Sequence, residues 1–203
     1  MHFFSGYTDI FFIIISFLIV YVLFISSHIN GSVEKRIIEK QVKHHLDQNY
    51  TLLSDVSLFN GRDMVFIDHI LISPFGIFII ETQNYSGKIF GKNVYKSWVQ
   101  KEYKKTYRFP NPLLANAKKV KVVESLLKEH LDTNCIHGLI VFMPNCDFKF
   151  QMPPSVFKGK AWVNYVLSFQ KEVISNSQLR HICKMIRQGM PESQWRKITK
   201  ISS

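Results

Sequence analysis

Cysteine is scarce in this 203-residue chain: Cys135, Cys146 and Cys183 are odd in number and contain no Cys-x-x-Cys pair. That set supports neither a disulfide framework nor a thiolate zinc site. Acidic residues are also few, 15 against 26 Lys and Arg, which leaves a net charge of +11. A basic balance of this size suits anionic partners, nucleic acid or a lipid surface. Internal repeats and low-complexity segments are absent. Lys and Arg are missing altogether before Lys35, so the positive charge belongs to the rest of the chain.

What fills the charge-poor start is one apolar run, "IFFIIISFLIVYVLFISS" at 10–27, in which Tyr21 is the only ionisable side chain. As a helix it would cover roughly 27 Å at about 1.5 Å per residue, close to a hydrocarbon core. A secretory signal peptide needs a basic start and a small-residue cleavage site. Here Asp9 precedes the run, no Ala-x-Ala follows it, and Ser26-Ser27 is a poor substitute. A buried core helix of this length would normally carry a polar face. The run therefore reads as a single membrane span. Lys35, Arg36, Lys40 and Lys43 follow closely, so the positive-inside bias puts the N-terminus outside and the domain in the cytoplasm of a bacterial-type inner (plasma) membrane. The expected organisation is a tail (1–9), a transmembrane helix (10–27), a hinge (28–32), a domain (33–190) and a basic C-terminal tail (191–203).

Within the domain, Val33, Ile37, Ile38, Val42 and Leu46 recur at helical spacing behind Ser32 as N-cap. Strands are predicted at 50–59, 63–73 and 77–82, the first two joined through Asn60-Gly61 and the last two through Ser73-Pro74-Phe75-Gly76. Short strands follow in "GKIFG" and "VYKSWVQKEYKK". Asn111-Pro112 opens a helix to about Leu131, with a stripe through Leu113, Ala117, Val120, Val123 and Leu127. The run 136–143 reads as a central strand, and 163–174 and 177–188 read as helices. The order predicts an α/β fold, a mixed sheet with helices on its faces.

Two carboxylates break the apolar pattern. Asp68 sits mid-strand in "VFIDHILI", and Glu81 ends the next strand in "FIIETQNYSG". If the turn at 73–76 folds the strands together, the two acids meet. A divalent cation would relieve their repulsion, with Glu34 of the first helix as a third oxygen ligand. Oxygen ligands favour Mg²⁺ or Mn²⁺ over zinc. First-turn Glu is also common for dipole reasons alone. His69 points to the other face of its strand, and His44-His45 is expected to be solvated.

"IDHILISPFGIFIIETQNYSGKIFG" (67–91) closely resembles the nuclease-related domain (NERD) family. "GSVEKRIIEKQV" resembles that family's Gly-x-x-Glu helix, "NPLLANAKKV" its Asn-Pro helix, and "HGLIVFM" its final strand, so the likeness covers about 31–145. The resemblance implies a PD-(D/E)xK nuclease fold and metal-dependent phosphodiester hydrolysis. It places the helix Glu on Glu34, the strand Asp on Asp68, the Glu of the E-x-K pair on Glu81, and the Lys of that pair on Gln83. Asp68, Glu81 and the Thr82 carbonyl would hold the metal. Gln83 departs from the pattern, although some restriction enzymes of the superfamily carry Gln there. Gln can position a water but brings no positive charge, so either Lys88 or Lys101 reaches in or the chemistry is slow. The alternative is a weakened or inactive module that binds nucleic acid, anionic lipid or a protein at the membrane. Candidate nucleic-acid contacts are Lys88, Lys101, Lys104, Lys105, Arg108 and Lys118, several of them interleaved with aromatics. Lys119, Lys121 and the basic C-terminus add to that surface, and the inner leaflet competes for it.

Overall fold

The protein is described here from a computed structural model, which covers residues 15–16, 33–59 and 64–190. The proposed hinge, the Asn60-Gly61 turn, the basic tail and all but two residues of the apolar run lie outside the described residues. Among the described residues no helix is long and apolar enough to cross a membrane. The chain forms two compact units, Met1–Ile37 and Ile38–Ser203.

Helix α1 covers residues 33–45 and buries Ile38 and Val42, with Leu46 following it into the core. Strands β1 (Thr51–Phe59), β2 (Met64–Ser73) and β3 (Gly76–Gln83) form an antiparallel meander. The β2–β3 turn is held by Ser73, whose hydroxyl donates to the Gly76 carbonyl (3.1 Å) and accepts from Phe75 N–H (3.2 Å). β3 is apolar without interruption from Ile77 to Ile80 because both of its faces are covered. Ile77 and Ile79 join the core beneath the later helices, and Phe78 packs on His137 and Phe169.

Strands β4 (Gly87–Phe90), β5 (Ser97–Glu102) and β6 (Lys105–Pro110) make a second meander. Helix α2 (Pro112–Leu127) then returns the chain to β7 (Ile136–Phe142), which lies parallel to β3. β8 (Cys146–Phe148) joins the second sheet and β9 (Val156–Lys158) the first. The sheet orders are β1-β2-β3-β7-β9 and β6-β5-β4-β8. The fold is thus mixed α/β, with mixed sheets flanked by helices. Helices α3 (Ala161–Leu167) and α4 (Asn176–Gln188) close the chain, α4 through a Ser175–Gln178 capping box.

Three local expectations need correction. The helix read over 163–174 ends at Leu167, because Val173 and Ile174 both donate their N–H to the Pro74 carbonyl (2.9 and 3.0 Å). α2 stops at Leu127 rather than Leu131. Its buried stripe also holds Asn116 where Ala117 was expected, Ala117 being exposed. Asn116 Nδ2 donates to the Ile79 carbonyl (3.1 Å), and Gly138 of β7 leaves the room, since a Cβ there would collide with Asn116 Oδ1. This buried amide clamps α2 onto β3. Asn116→Ala is expected to cost about 1 kcal/mol for the bond alone. A Tm drop of about 2–4 °C in thermal unfolding would show it.

Candidate active site

The β2–β3 ladder runs as far as the pair His69–Ile80, which leaves Asp68 and Glu81 facing each other at the next position. There the strands part. The Thr82 N–H turns to a side chain instead, donating to Asp68 Oδ2 at 2.8 Å, and the Thr82 hydroxyl donates to the same oxygen at 2.8 Å. One oxygen of Asp68 is therefore fixed by β3, and Oδ1 remains for other work.

The cation at this fork comes from α2. Lys119 Nζ lies 3.1 Å from Glu81 Oε2 and 4.0 Å from Asp68 Oδ1. Lys119 stands three residues beyond Asn116, one helical turn along the same face, so the amide clamp sets the lysine's place. Lys118, its neighbour, is exposed. Glu81 Oε2 is shut off from solvent, and the Lys119 ammonium is the cation that faces it.

Glu81 is held above its ordinary carboxylate pKa, chiefly by burial, with the charge of Asp68 adding to the effect and Lys119 opposing it. Burial wins over the ion pair. A raised folded pKa means that the protonated form is favoured by folding, so stability falls as pH climbs past the unfolded value of 4.5. Glu81→Gln is expected to be more stable than the wild type at neutral pH, with the advantage vanishing below pH 4.5, where both unfolded and folded Glu81 are protonated. Tm measured across pH checks it; an advantage that persists in acid would contradict the account.

The other sequence candidates fall elsewhere. Gln83 is half-buried, two positions beyond Glu81 on the same strand, and its carbonyl accepts from Met143 N–H (2.9 Å). Lys88 and Lys101 do not supply the missing cation. They face each other across β4 and β5, and Lys101 Nζ rests 5.3 Å from the Phe90 ring centre. Lys104 sits at the β5–β6 turn beside the fully exposed Tyr103, while Lys105 and Arg108 lie exposed on β6. Glu34 belongs to the N-terminal unit, on α1, and is half-buried. His69 is buried with Nδ1 3.0 Å from the Ser54 hydroxyl, a contact of the sheet interior. Asp55 is an acid that sequence reasoning passed over. It lies between the bonded pairs Ser54–His69 and Val56–Ile67, hence at the register position of Asp68, in a left-handed conformation (φ 55°). Such strain in a strand is a recurrent mark of functional regions. Among the described residues no three His, Cys, Asp or Glu side chains come close enough to form a metal-binding group.

Asp68 and Glu81 nevertheless fit a divalent cation as a pair. Asp68 Oδ1 and the buried Glu81 Oε2 already converge on one positive group. The chain also has counterparts among known proteins. The nuclease-related domain (NERD) family matches residues 30–143. This chain belongs to that family. An uncharacterized protein of Bacillus anthracis is 28% identical over 157 residues, covering 75% of this chain and 73% of its own length. No solved structure matches the chain. The NERD region thus contains α1, the β1–β6 strands, α2 and β7, with Asp68, Glu81, Gln83 and Lys119 all inside it. Membership points to a nuclease-related function. The sequence offered Lys119 as one of several lysines on the Asn-Pro helix, a surface contact rather than a member of the site.

Proposed function

We propose that this NERD protein is a divalent-metal-dependent phosphodiesterase acting on DNA or RNA, in which Lys119 does the work of the lysine that Gln83 replaces. The observation that carries the reading is the Lys119 ammonium between Glu81 and Asp68. Asp68 Oδ1, Glu81 Oε2 and the Thr82 carbonyl would hold Mg²⁺ or Mn²⁺. When bound, that ion supplies a water of lowered pKa and polarises the scissile phosphate. Thr82 fixes the Asp68 carboxylate through its two hydrogen bonds. Lys119 offsets the two carboxylates while the site waits for substrate and then offers positive charge to the phosphate as negative charge builds in the transition state. Gln83 can donate one hydrogen bond to the attacking water. The direct test is cleavage of labelled single- and double-stranded DNA and RNA by the full-length chain in detergent, with Mg²⁺ or Mn²⁺ against EDTA. Metal-dependent cleavage supports the proposal, and none on any substrate ends it.

A second reading rests on the same contact. Lys119 already neutralises Glu81, so the site is satisfied by a protein cation, as a binding module that has lost its chemistry would be. That reading predicts salt-sensitive binding indifferent to EDTA and no cleavage. On either reading the apolar run at 10–27 is proposed to tether the protein to a membrane with the domain on the cytoplasmic side. The chain should then stay in the membrane fraction after alkaline carbonate washing, and removal of 1–27 should release it.

A further inference from the structure

The outer face of the second sheet gathers cations around two aromatic rings. Strand pairing sets Lys88, Lys101 and Thr106 in one row and Phe90, Val99 and Arg108 in the next, across β4, β5 and β6. The opposite face, with Ile89, Trp98 and Phe109, is buried in its own core. On the outer face Lys88, Lys101 and Arg108 are exposed, and Phe150, 55% exposed, packs edge-on against Phe90 (5.8 Å between centres). Two ammonium groups sit over the rings, Lys101 over Phe90 (5.3 Å) and Lys92 over Phe150 (5.8 Å). The acid in register with Lys88 is Asp147, and Lys158 already engages it at 2.8 Å. The face as a whole therefore favours an anion.

We infer that this sheet face is a platform for single-stranded nucleic acid, with bases stacked on Phe90 and Phe150 and the backbone tracked by Lys88, Lys92, Lys101 and Arg108. The cations over the rings show that the π faces are reachable from solvent. An exposed cation–π contact is weak, so an incoming base can take the ring while the displaced ammonium meets a phosphate. Duplex is a poorer fit, because stacking on Phe90 and Phe150 needs bases that are unpaired and free to leave their own stack. A bilayer fits less well too. Phe90 is half-buried and an ammonium group stands over each ring, whereas a membrane-seeking surface pushes its apolar groups beyond its charges. The inference deepens the nuclease reading by naming single strands as substrate class, and rests on that reading only for its purpose. β4 starts four residues after Gln83, so a short link joins the platform to the strand that carries Glu81.

Fluorescence anisotropy of a labelled thymidine 20-mer, with the full chain in detergent and EDTA present, tests binding apart from cleavage. Phe150→Ala is expected to weaken binding about tenfold with the salt dependence unchanged, and Phe150→Trp to retain it. The Lys88→Gln/Lys101→Gln pair is expected to weaken binding and reduce the slope of log K against log salt by about 1.4. All three positions are at the surface, and circular dichroism verifies that the variants fold. The inference is overturned by affinity unchanged in these variants, by tighter binding of the 20-bp duplex, by no binding, or by a loss confined to phosphatidylserine vesicles. Wild type that binds in this way yet never cleaves removes the nuclease reading and leaves the platform standing.

Discussion

Lys119→Ala is expected to lower metal-dependent cleavage by about 10²- to 10³-fold, the usual loss when one preorganised positive or donor group is removed from a transition state. The lysine is the positive group within 4.0 Å of both acids at the fork, and Gln83 cannot replace its charge. The same change strips Glu81 of its cation, so its carboxylate, already raised in pKa by burial and by Asp68, becomes still costlier to ionise. The variant should therefore unfold at lower temperature than the wild type in EDTA at neutral pH, with Mg²⁺ recovering part of the difference. Lys119→Gln guards against a folding failure, since it keeps the length of the side chain. Placing the charge back on the strand is the decisive control. Gln83→Lys in the Lys119→Ala background should recover activity, because alternation puts position 83 on the face of Glu81. Equal rates for wild type and Lys119→Ala would show that the lysine is a structural counter-ion only.

Asp68 carries the second large effect, and two substitutions separate its duties. Asp68→Asn preserves an oxygen to accept from Thr82 but loses the negative charge that would hold a metal. Asp68→Ala also leaves the Thr82 N–H and hydroxyl without the acceptor they share at 2.8 Å. Both should abolish detectable cleavage, as befits a metal ligand. Only Asp68→Ala should lose stability, by about 1.5–3 kcal/mol for bonds to a charged group. Chemical denaturation alongside the cleavage assay reads both. Activity in Asp68→Asn within tenfold of wild type would remove Asp68 from the metal site.

Much of the fork was legible because its determinants are local. Two apolar runs, a Ser-Pro-Phe-Gly turn and the place of one acid on each strand define a register, and that register sets Asp68 opposite Glu81. The Asn-Pro start of α2 was equally plain: Asn111 caps the helix by accepting from Leu113 N–H, and Pro112 has no N–H to lose there. The lysine was not legible in the same way. Lys118, Lys119 and Lys121 share one helix, and composition treats them alike. Their separation depends on the helix's rotation about its axis. An apolar-stripe argument placed that rotation one residue off, on Ala117, since it gave no credit to a buried Asn.

Asn116 decides the matter in three dimensions. Its amide reaches the Ile79 carbonyl across 37 residues of chain, through a gap that Gly138 leaves on a strand not yet formed when α2 is read along the sequence. Lys88 and Lys101 were the lysines named as replacements, yet sheet pairing commits them to another surface beside Phe90. Side-chain alternation, turn chemistry and helix capping act over a few residues, so the carboxylate pair, the meander and the Asn-Pro helix were readable from the amino-acid order. The choice of cation depends on how a helix rolls against a sheet assembled from distant strands. Only packing could make that choice, and it selected Lys119.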